Sequence, residues 1–351
     1  MKVFLIGVPM TCGGANSEAG HTALLWRRLG IEVTCLYFTK CRCEKPAIIA
    51  ESTNRWVERL RDDGVEFVAG ESGLLRDVPG LPGSVVVDFC NQHLAHNWHE
   101  LHGLGCRLIH SPCMTMISRH EAEAFRDCPP TALHMQSDFQ ASQIAEAYRQ
   151  WGCKRFHLIR GAFDPLPYRP RRREPGETFV VGRLARPCRT KWSPELWGIM
   201  ELVRENGVHV AALCQAWDSE LSFHCGPPPG YATCLSKDTL ETGDFLSRCH
   251  ALICPNWAAS ENWPRVGLEA MSAGVPVLAD DAGGWREMIE HGVTGHLCRT
   301  RDDFSNWLLF LAENENERMD VSEEARARLV GKLCDPGKIG QQWIDLIHDC
   351  R

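Results

Sequence analysis

Short apolar runs alternate with amphipathic stretches along most of the chain. Residues 2–8 form an apolar run suited to a buried parallel strand. A glycine-containing loop, TCGGANS at 11–17, follows it. The next stretch predicts a helix over 18–29, with Gly30 as its stop and a second strand over 31–37. A helix over 53–63 ends at Gly64, and strands are expected over 65–69, 85–89, 107–110 and 131–135. The segment FDPLPYRPRRREPGE at 163–177, with four prolines among its charged side chains, interrupts this rhythm and reads as a linker. After it the alternation resumes. A strand over 178–181 precedes a helix capped by Ser193 with Pro194 at its first position. Strands over 208–213 and 251–254, a helix over 264–273 stopped by Gly274, and a strand over 275–278 follow. The last fifty residues read as helices, including 339–349. Strand–helix alternation of this kind argues for an α/β protein with parallel sheets and helices on both faces.

Composition narrows the class. The 351 residues are 44% hydrophobic and 24% charged, a soluble balance with enough apolar material for two cores. No apolar run reaches the ~18–20 residues of a membrane span, and the apolar start is too short for a signal peptide. Eighteen cysteines are scattered without a CxxC pair, many inside apolar runs. They read as reduced thiols of a cytoplasmic protein rather than as a disulfide framework. The net charge of −7 is uneven: residues 1–165 hold 17 Lys and Arg against 18 Asp and Glu, and residues 166–351 hold 21 against 27. Neither half is basic, so bulk charge predicts no nonspecific nucleic-acid or membrane binding. The tight basic cluster is Arg171–Arg173.

The chemistry concentrates in ALICPNWAASENWPRVGLEAMSAGVPVLADDAGGWREMIEHGVTGHLC at 251–298. Glu261 falls in the loop after a strand. Pro264 suits the opening of a helix, and Glu269 lies on that helix's second turn. Free amides of the first turn, at Arg265 and Val266, make an anion site suited to phosphate. Carboxylates repel phosphate, so Glu261 and Glu269 suit hydroxyl groups on either side of it. A sugar, a diphosphate and a ribose in line satisfy that demand.

These residues resemble the donor half of the retaining GT-B glycosyltransferases of family four, the glycosyltransferase group 1 type. The match consists of Glu261, Glu269, Ala270-Met271, Gly274-Val275-Pro276-Val277 and Gly283-Gly284. The resemblance implies that Glu261 contacts the transferred sugar and Glu269 the ribose. Asn262, Trp263, Pro264, Arg265 and Val266 would set backbone amides near sugar and phosphate. A second match is GRLARPCRTK at 182–191, where the family's Gly-Arg-Leu and following Lys bind the donor diphosphate. Carried over, Arg183 and Lys191 stabilise the charge that grows on the leaving group. Three extra residues precede Lys191 here, so Arg186 or Arg189 is a further candidate. HLIRGAFDPLPYRP at 157–170 is similar to the family's domain-crossing segment, through Gly161 and Asp164.

In the first half the resemblance implies that the Gly13-Gly14 loop approaches the donor phosphate, and that His110, at the end of CRLIH, lies near the donor sugar. A tight turn that needs glycine explains the loop equally well. His93, His96, His99 and His102 recur every three residues, but they cannot all share one helical face. The family implies no metal and no cofactor beyond the donor.

The resemblance therefore predicts a GT-B protein, with two Rossmann-like domains whose parallel sheets face each other across a cleft. Residues 1–163 would bind the acceptor and 164–177 would link. Residues 178–335 would bind the nucleotide-sugar, and 336–351 would form a helix crossing back to the first domain. The implied reaction moves a hexose from a UDP- or GDP-linked donor to a hydroxyl acceptor with retention. The acceptor could be a glycan, a lipid-linked or small molecule, or modified DNA. Two rivals share the fold: transfer to hydroxymethylated pyrimidines in DNA, which the Arg171–Arg173 cluster would serve, and nucleotide-sugar epimerisation.

Overall fold

The computed structural model describes the chain except residues 8, 10–12, 39–54, 90–91 and 258–259, and describes the backbone alone at 55 and 92–96. It divides into two compact units, one of residues 1–164 and 334–351, the other of residues 165–333.

The first unit carries seven strands: β1 (Lys2–Ile6), β2 (Glu32–Phe38), β3 (Glu66–Gly70), β4 (Val85–Phe89), β5 (Arg107–Ser111), β6 (Ala132–Met135) and β7 (Phe156–Leu158). They form one sheet in the order β3-β2-β1-β4-β5-β6-β7, every pair parallel. The VVVDF of β4 is buried throughout, as a strand with helices on both faces must be. The first helix runs from Gly14 to Arg28 and the last from Pro336 to Asp349. Asp335 caps the last helix by accepting from the amides of Gly337 and Lys338. Its Ile339, Trp343, Leu346 and Ile347 are buried in the same core as Val3, Leu5, Trp26 and Val87. Trp343 lies 5.0 Å from the Trp26 ring and 4.5 Å from the His134 ring.

The second unit carries β8 (Phe179–Leu184), β9 (Val210–Gln215), β10 (Ala232–Leu235), β11 (Ala251–Cys254), β12 (Val277–Asp280) and β13 (His296–Cys298). Their order is β10-β9-β8-β11-β12-β13, again all parallel. Both units are thus α/β and Rossmann-like. In each sheet the chain winds outward from a central pair, β1 with β4 and β8 with β11. The crevice beyond the carboxyl ends of such a pair is where open α/β sheets bind ligands.

Local differences from the sequence reading have physical causes. The helix expected to start at Pro194 begins at Leu196, because the Ser193 hydroxyl accepts from the Glu195 amide and closes a turn ahead of it. The Pro-rich segment 165–177 is strapped along the second unit. The Leu166 amide donates to Ser272 Oγ at 2.5 Å, and Arg173 and Arg318 donate to the carbonyls of Ala312 and Arg171 at 2.6 Å each. Gly274 ends the helix Arg265–Ala273 in the left-handed region (φ 72°), and a Cβ there would sit 2.4 Å from Pro170. Among the described residues no helix is long and apolar enough to cross a membrane.

Candidate functional site

Within the second unit, three of the expected residues converge at the carboxyl ends of β8 and β11. Arg183 lies at the end of β8 and is only 3% exposed. Its guanidinium stands 5.1 Å above the Trp192 ring and donates to the Lys191 carbonyl. That bond ties the two cations together, and the indole beneath favours the positive charge. Lys191 Nζ donates to Glu261 Oε1 at 2.5 Å, and both side chains are about three-quarters buried. Trp192 was not anticipated as part of the site; its position directly after Lys191 is the signal that could have found it. Arg189 points elsewhere, pairing with Glu220 at 3.0 Å. The Arg186 carbonyl accepts from the Trp192 indole at 2.9 Å.

Gly182, ahead of Arg183, is needed for a packing reason. Any side chain there would meet Cys249 Sγ at 2.6 Å, so glycine alone lets the segment before β11 close against β8. The loop after β11 carries Glu261 to the N-terminus of the helix Arg265–Ala273. Pro264 occupies the N-cap and offers no side-chain cap, so the first-turn amides of Arg265 and Val266 precede any helical acceptor. Asn262, Trp263, Pro264 and Arg265 are buried, and Val266 and Glu269 are partly exposed. Burial raises the Glu269 carboxyl above its ordinary range, and Arg265 pulls it the other way.

The Gly283-Gly284 turn after β12 holds this loop in place. The Gly284 amide donates to the Glu261 carbonyl at 2.8 Å. A Cβ on Gly284 would lie 1.5 Å from the Asn262 carbonyl oxygen. Asp280, at the end of β12, is a titratable neighbour that the sequence reading passed over. It is 7% exposed. Burial pushes its carboxyl up to about 6, against the Asn256 amide and Arg183 and with help from Glu261. Two consecutive acids closing the apolar run VLADD are the sequence signal for it.

The remaining expected residues lie in the first unit. Gly13 is the N-cap of the helix Gly14–Arg28 at φ 107°, a conformation that needs glycine, and its carbonyl accepts from Ser17. Residues 11 and 12 of that loop lie outside the described residues. His110 ends β5 with both ring nitrogens engaged, Nδ1 with Asp88 at 2.7 Å and Nε2 with Glu121 at 3.2 Å. Burial alone would lower its pKa, but Asp88 and Glu121 outweigh it and hold the ring protonated up to about 9. A role at a sugar requires one of those nitrogens to be released. Of the histidine series, the side chains of His93 and His96 lie outside the described residues. Among the described residues no cluster of three or more metal-ligating side chains occurs. The Arg171–Arg173 cluster is engaged internally: Arg171 with Glu177, Arg172 with Asn316, and Arg173 with Ala312.

The comparisons with known proteins agree with the motif resemblance. Residues 236–328 match the family model for glycosyl transferases group 1. N-acetyl-alpha-D-glucosaminyl L-malate synthase of Bacillus anthracis is 32% identical over 91 residues, a stretch covering 25% of this chain and 24% of that protein. The chain therefore matches only about a quarter of that curated relative's length. Over nearly the whole chain the fold is that of solved GT-B structures. Anabaena HepE in complex with UDP and glucose superposes with a TM-score of 0.74 at 18% identity, covering 99% of both chains. The pneumococcal O-GlcNAc transferase GtfA in complex with UDP and GlcNAc gives 0.73 at 10% identity, covering 100% of this chain and 99% of that one. Sucrose-phosphate synthase of Thermosynechococcus elongatus gives 0.71 at 15% identity, covering 99% and 98%.

Proposed function

We propose that this chain is a retaining glycosyltransferase that moves a hexose from a nucleotide-sugar to a hydroxyl acceptor. The observation that carries the reading is the junction of Arg183, Lys191 and Glu261 at the mouth of the β8–β11 pair, beside an uncapped helix N-terminus. It lies partly in the segment that matches the group 1 family. A UDP-linked donor is the preferred form. The relatives whose names mention UDP with glucose or GlcNAc support that choice, and a GDP-linked donor is the alternative.

The roles follow from charge. Breaking the sugar–oxygen bond places negative charge on the departing diphosphate. Arg183, Lys191 and the amides of Arg265 and Val266 are positive or dipolar groups, and the proposal assigns them to favour that charge. A diphosphate arriving at Lys191 competes with Glu261 for Nζ. The carboxylate is thereby turned toward hydroxyls of the sugar, while Glu269 serves the ribose. Retention is assigned to front-face attack, with the leaving phosphate taking the acceptor's proton, so no protein nucleophile is required. No metal enters this scheme, because the two cations supply the countercharge. The first unit is assigned to the acceptor, and roles toward the donor are proposed for the Gly13-Gly14 loop and His110. A cytoplasmic setting is part of the proposal, supported by the scatter of eighteen cysteines without a CxxC pair.

The test is product analysis with UDP-glucose and UDP-N-acetylglucosamine, with and without an acceptor panel. Release of UDP with formation of an α-glycoside is expected. An epimerised nucleotide-sugar from donor alone would overturn the transferase reading. Lys191→Ala and Glu261→Ala are each expected to lose most turnover with unchanged melting behaviour. Near-normal rates in both would refute this placement of the donor.

A further inference from the structure

Cys214 and Cys234 stand opposite each other at the edge of the second sheet. The parallel register of β9 and β10 pairs them directly, between the pairs Leu213–Thr233 and Gln215–Leu235. β10 is the outermost strand of that sheet. Register partners in a pleated sheet project to the same face. Both thiols accordingly belong to one apolar cluster, Cys214 buried in it and Cys234 packed against it with partial exposure. The two are hydrogen-bonding neighbours. Adjacent strands lie ~4.8 Å apart, within the ~4.4–6.8 Å between α-carbons that a disulfide spans. The register is also held beyond the pair. The Trp217 amide donates to the Leu235 carbonyl at 2.9 Å, and the Gln215 carboxamide exchanges hydrogen bonds of 2.8 and 3.0 Å with the Leu240 backbone. The thiols therefore meet without a change of backbone.

The pair is chemically asymmetric. The Cys214 S–H held toward the Cys234 sulfur brings the Cys234 pKa below the ordinary thiol value, against the effect of burial. The same contact, with complete burial, raises Cys214. Where a thiol is simply buried it moves upward, as at Cys35 and Cys254, each pushed to about 12. Oxidants attack the thiolate, so Cys234, the more acidic and the more open, reacts first, and Cys214 is placed to resolve it. Two thiols serving only as small apolar fillers require neither the contact nor the unequal acidity.

We propose that Cys214 and Cys234 are a reversible redox pair that a peroxide closes to a disulfide. The Cys234 thiolate attacks one peroxide oxygen and the O–O bond breaks. The departing hydroxide takes up the proton that the thiol had released, leaving a sulfenic acid and one water. The Cys214 sulfur then attacks the sulfenic sulfur, the S–S bond forms, and the hydroxyl leaves with the Cys214 proton as a second water. Two electrons pass from the two sulfurs to one peroxide. A dithiol reverses the step by exchange. The disulfide would fasten β10 to β9, where Cys214 is also the register partner of Arg183 on β8. The proposal does not rest on the donor reading, since neither thiol is assigned to the nucleotide-sugar.

The test treats the native full chain with hydrogen peroxide, alkylates it, digests it without reduction and maps the peptides by mass spectrometry. A peptide pair joined through Cys214 and Cys234 is expected to accumulate, and to disappear with dithiothreitol. Cys214→Ser is expected to lose the cross-link and to gain dimedone labelling at Cys234, the mark of a sulfenic acid without its resolving thiol. Cys234→Ser should lose the cross-link and leave Cys214 unlabelled. Cys128→Ser, at a partly exposed cysteine of the first unit, should cross-link as the unaltered chain does. The unaltered chain decides the matter even where a variant fails to fold. The proposal is overturned if no Cys214–Cys234 cross-link forms, if either thiol is joined instead to Cys225 or Cys249, or if the cross-link resists dithiothreitol. Dimedone labelling of Cys214 in the Cys234→Ser protein would overturn the order of attack.

Discussion

Replacing Gly284 with alanine tests whether the turn after β12 sets the position of the loop that carries Glu261. Gly284 has φ −66° and ψ −14°, a right-handed conformation that alanine adopts without strain. Any effect must therefore come from the added methyl group. That carbon would lie 1.5 Å from the Asn262 carbonyl oxygen and 3.3 Å from the Glu261 carbonyl oxygen. Ordinary contact requires about 3 Å, so turn and loop must separate by about 1.5 Å. Overpacking of this kind costs about 1–3 kcal/mol, and loss of the Gly284–Glu261 hydrogen bond adds about 1 kcal/mol. Misplacing a substrate-positioning group by ~1 Å can reduce turnover ~100-fold. Gly284→Ala is thus expected to lower the urea-unfolding free energy by about 2–4 kcal/mol and, if the proposed reaction holds, UDP release from UDP-glucose ~100-fold. Gly283→Ala is the control for backbone strain, since Gly283 has φ 54°; its cost should be about 1–2 kcal/mol. A Gly284→Ala protein with unaltered stability and turnover would refute the claim that this turn fixes Glu261.

Two further outcomes concern the first unit. The folded-state pKa of His110 is raised from 6.5 to about 9, so its charge pairing stabilises the fold fully below pH 6.5, and that contribution is lost as pH rises through about 9. The difference is on the order of 3 kcal/mol, and urea titrations at pH 6 and pH 9.5 should show His110→Gln to be the less pH-dependent protein; parallel profiles would contradict it. Trp343→Ala should destabilise the first unit by about 3–5 kcal/mol in thermal melts. Trp343→Phe should cost clearly less, because the indole N–H has no hydrogen-bond partner among the described residues; equal costs would show that ring volume is not what the last helix contributes.

The fold was legible wherever burial forces a long enough apolar run. The strands over 85–89 and 251–254 coincide with β4 and β11, since a strand covered on both faces shows as continuous Val, Ile and Leu. The short strands β7, β10 and β13, with the sequences FHL, ATCL and HLC, left no such signal. They are ordered by pairing with a neighbour already in place, which is a tertiary effect. For the site, the resemblance to the group 1 glycosyltransferases singled out Arg183, Lys191 and Glu261, and the structure brings these three side chains together. Spacing could not indicate that Asp88 and Glu121, 22 and 11 residues from His110, engage both of its ring nitrogens.

The glycines of the motif have a physical basis that chemistry alone does not supply. Gly182 admits Cys249 against β8, Gly274 admits Pro170 behind the helix Arg265–Ala273, and Gly284 admits the carbonyl of Asn262. Each removes a side chain where two segments of the second unit meet, and together they bring Arg183, Glu261 and the helix N-terminus toward one crevice. Glu261 is held from two sides, through its backbone by the Gly284 amide and through its carboxylate by Lys191. Lys191 is in turn tied through its carbonyl to Arg183. A substitution at any of these glycines should therefore move charged groups it does not touch. Glutamates and cations at the right spacing, but without the glycines, would lack the packing that makes them one site.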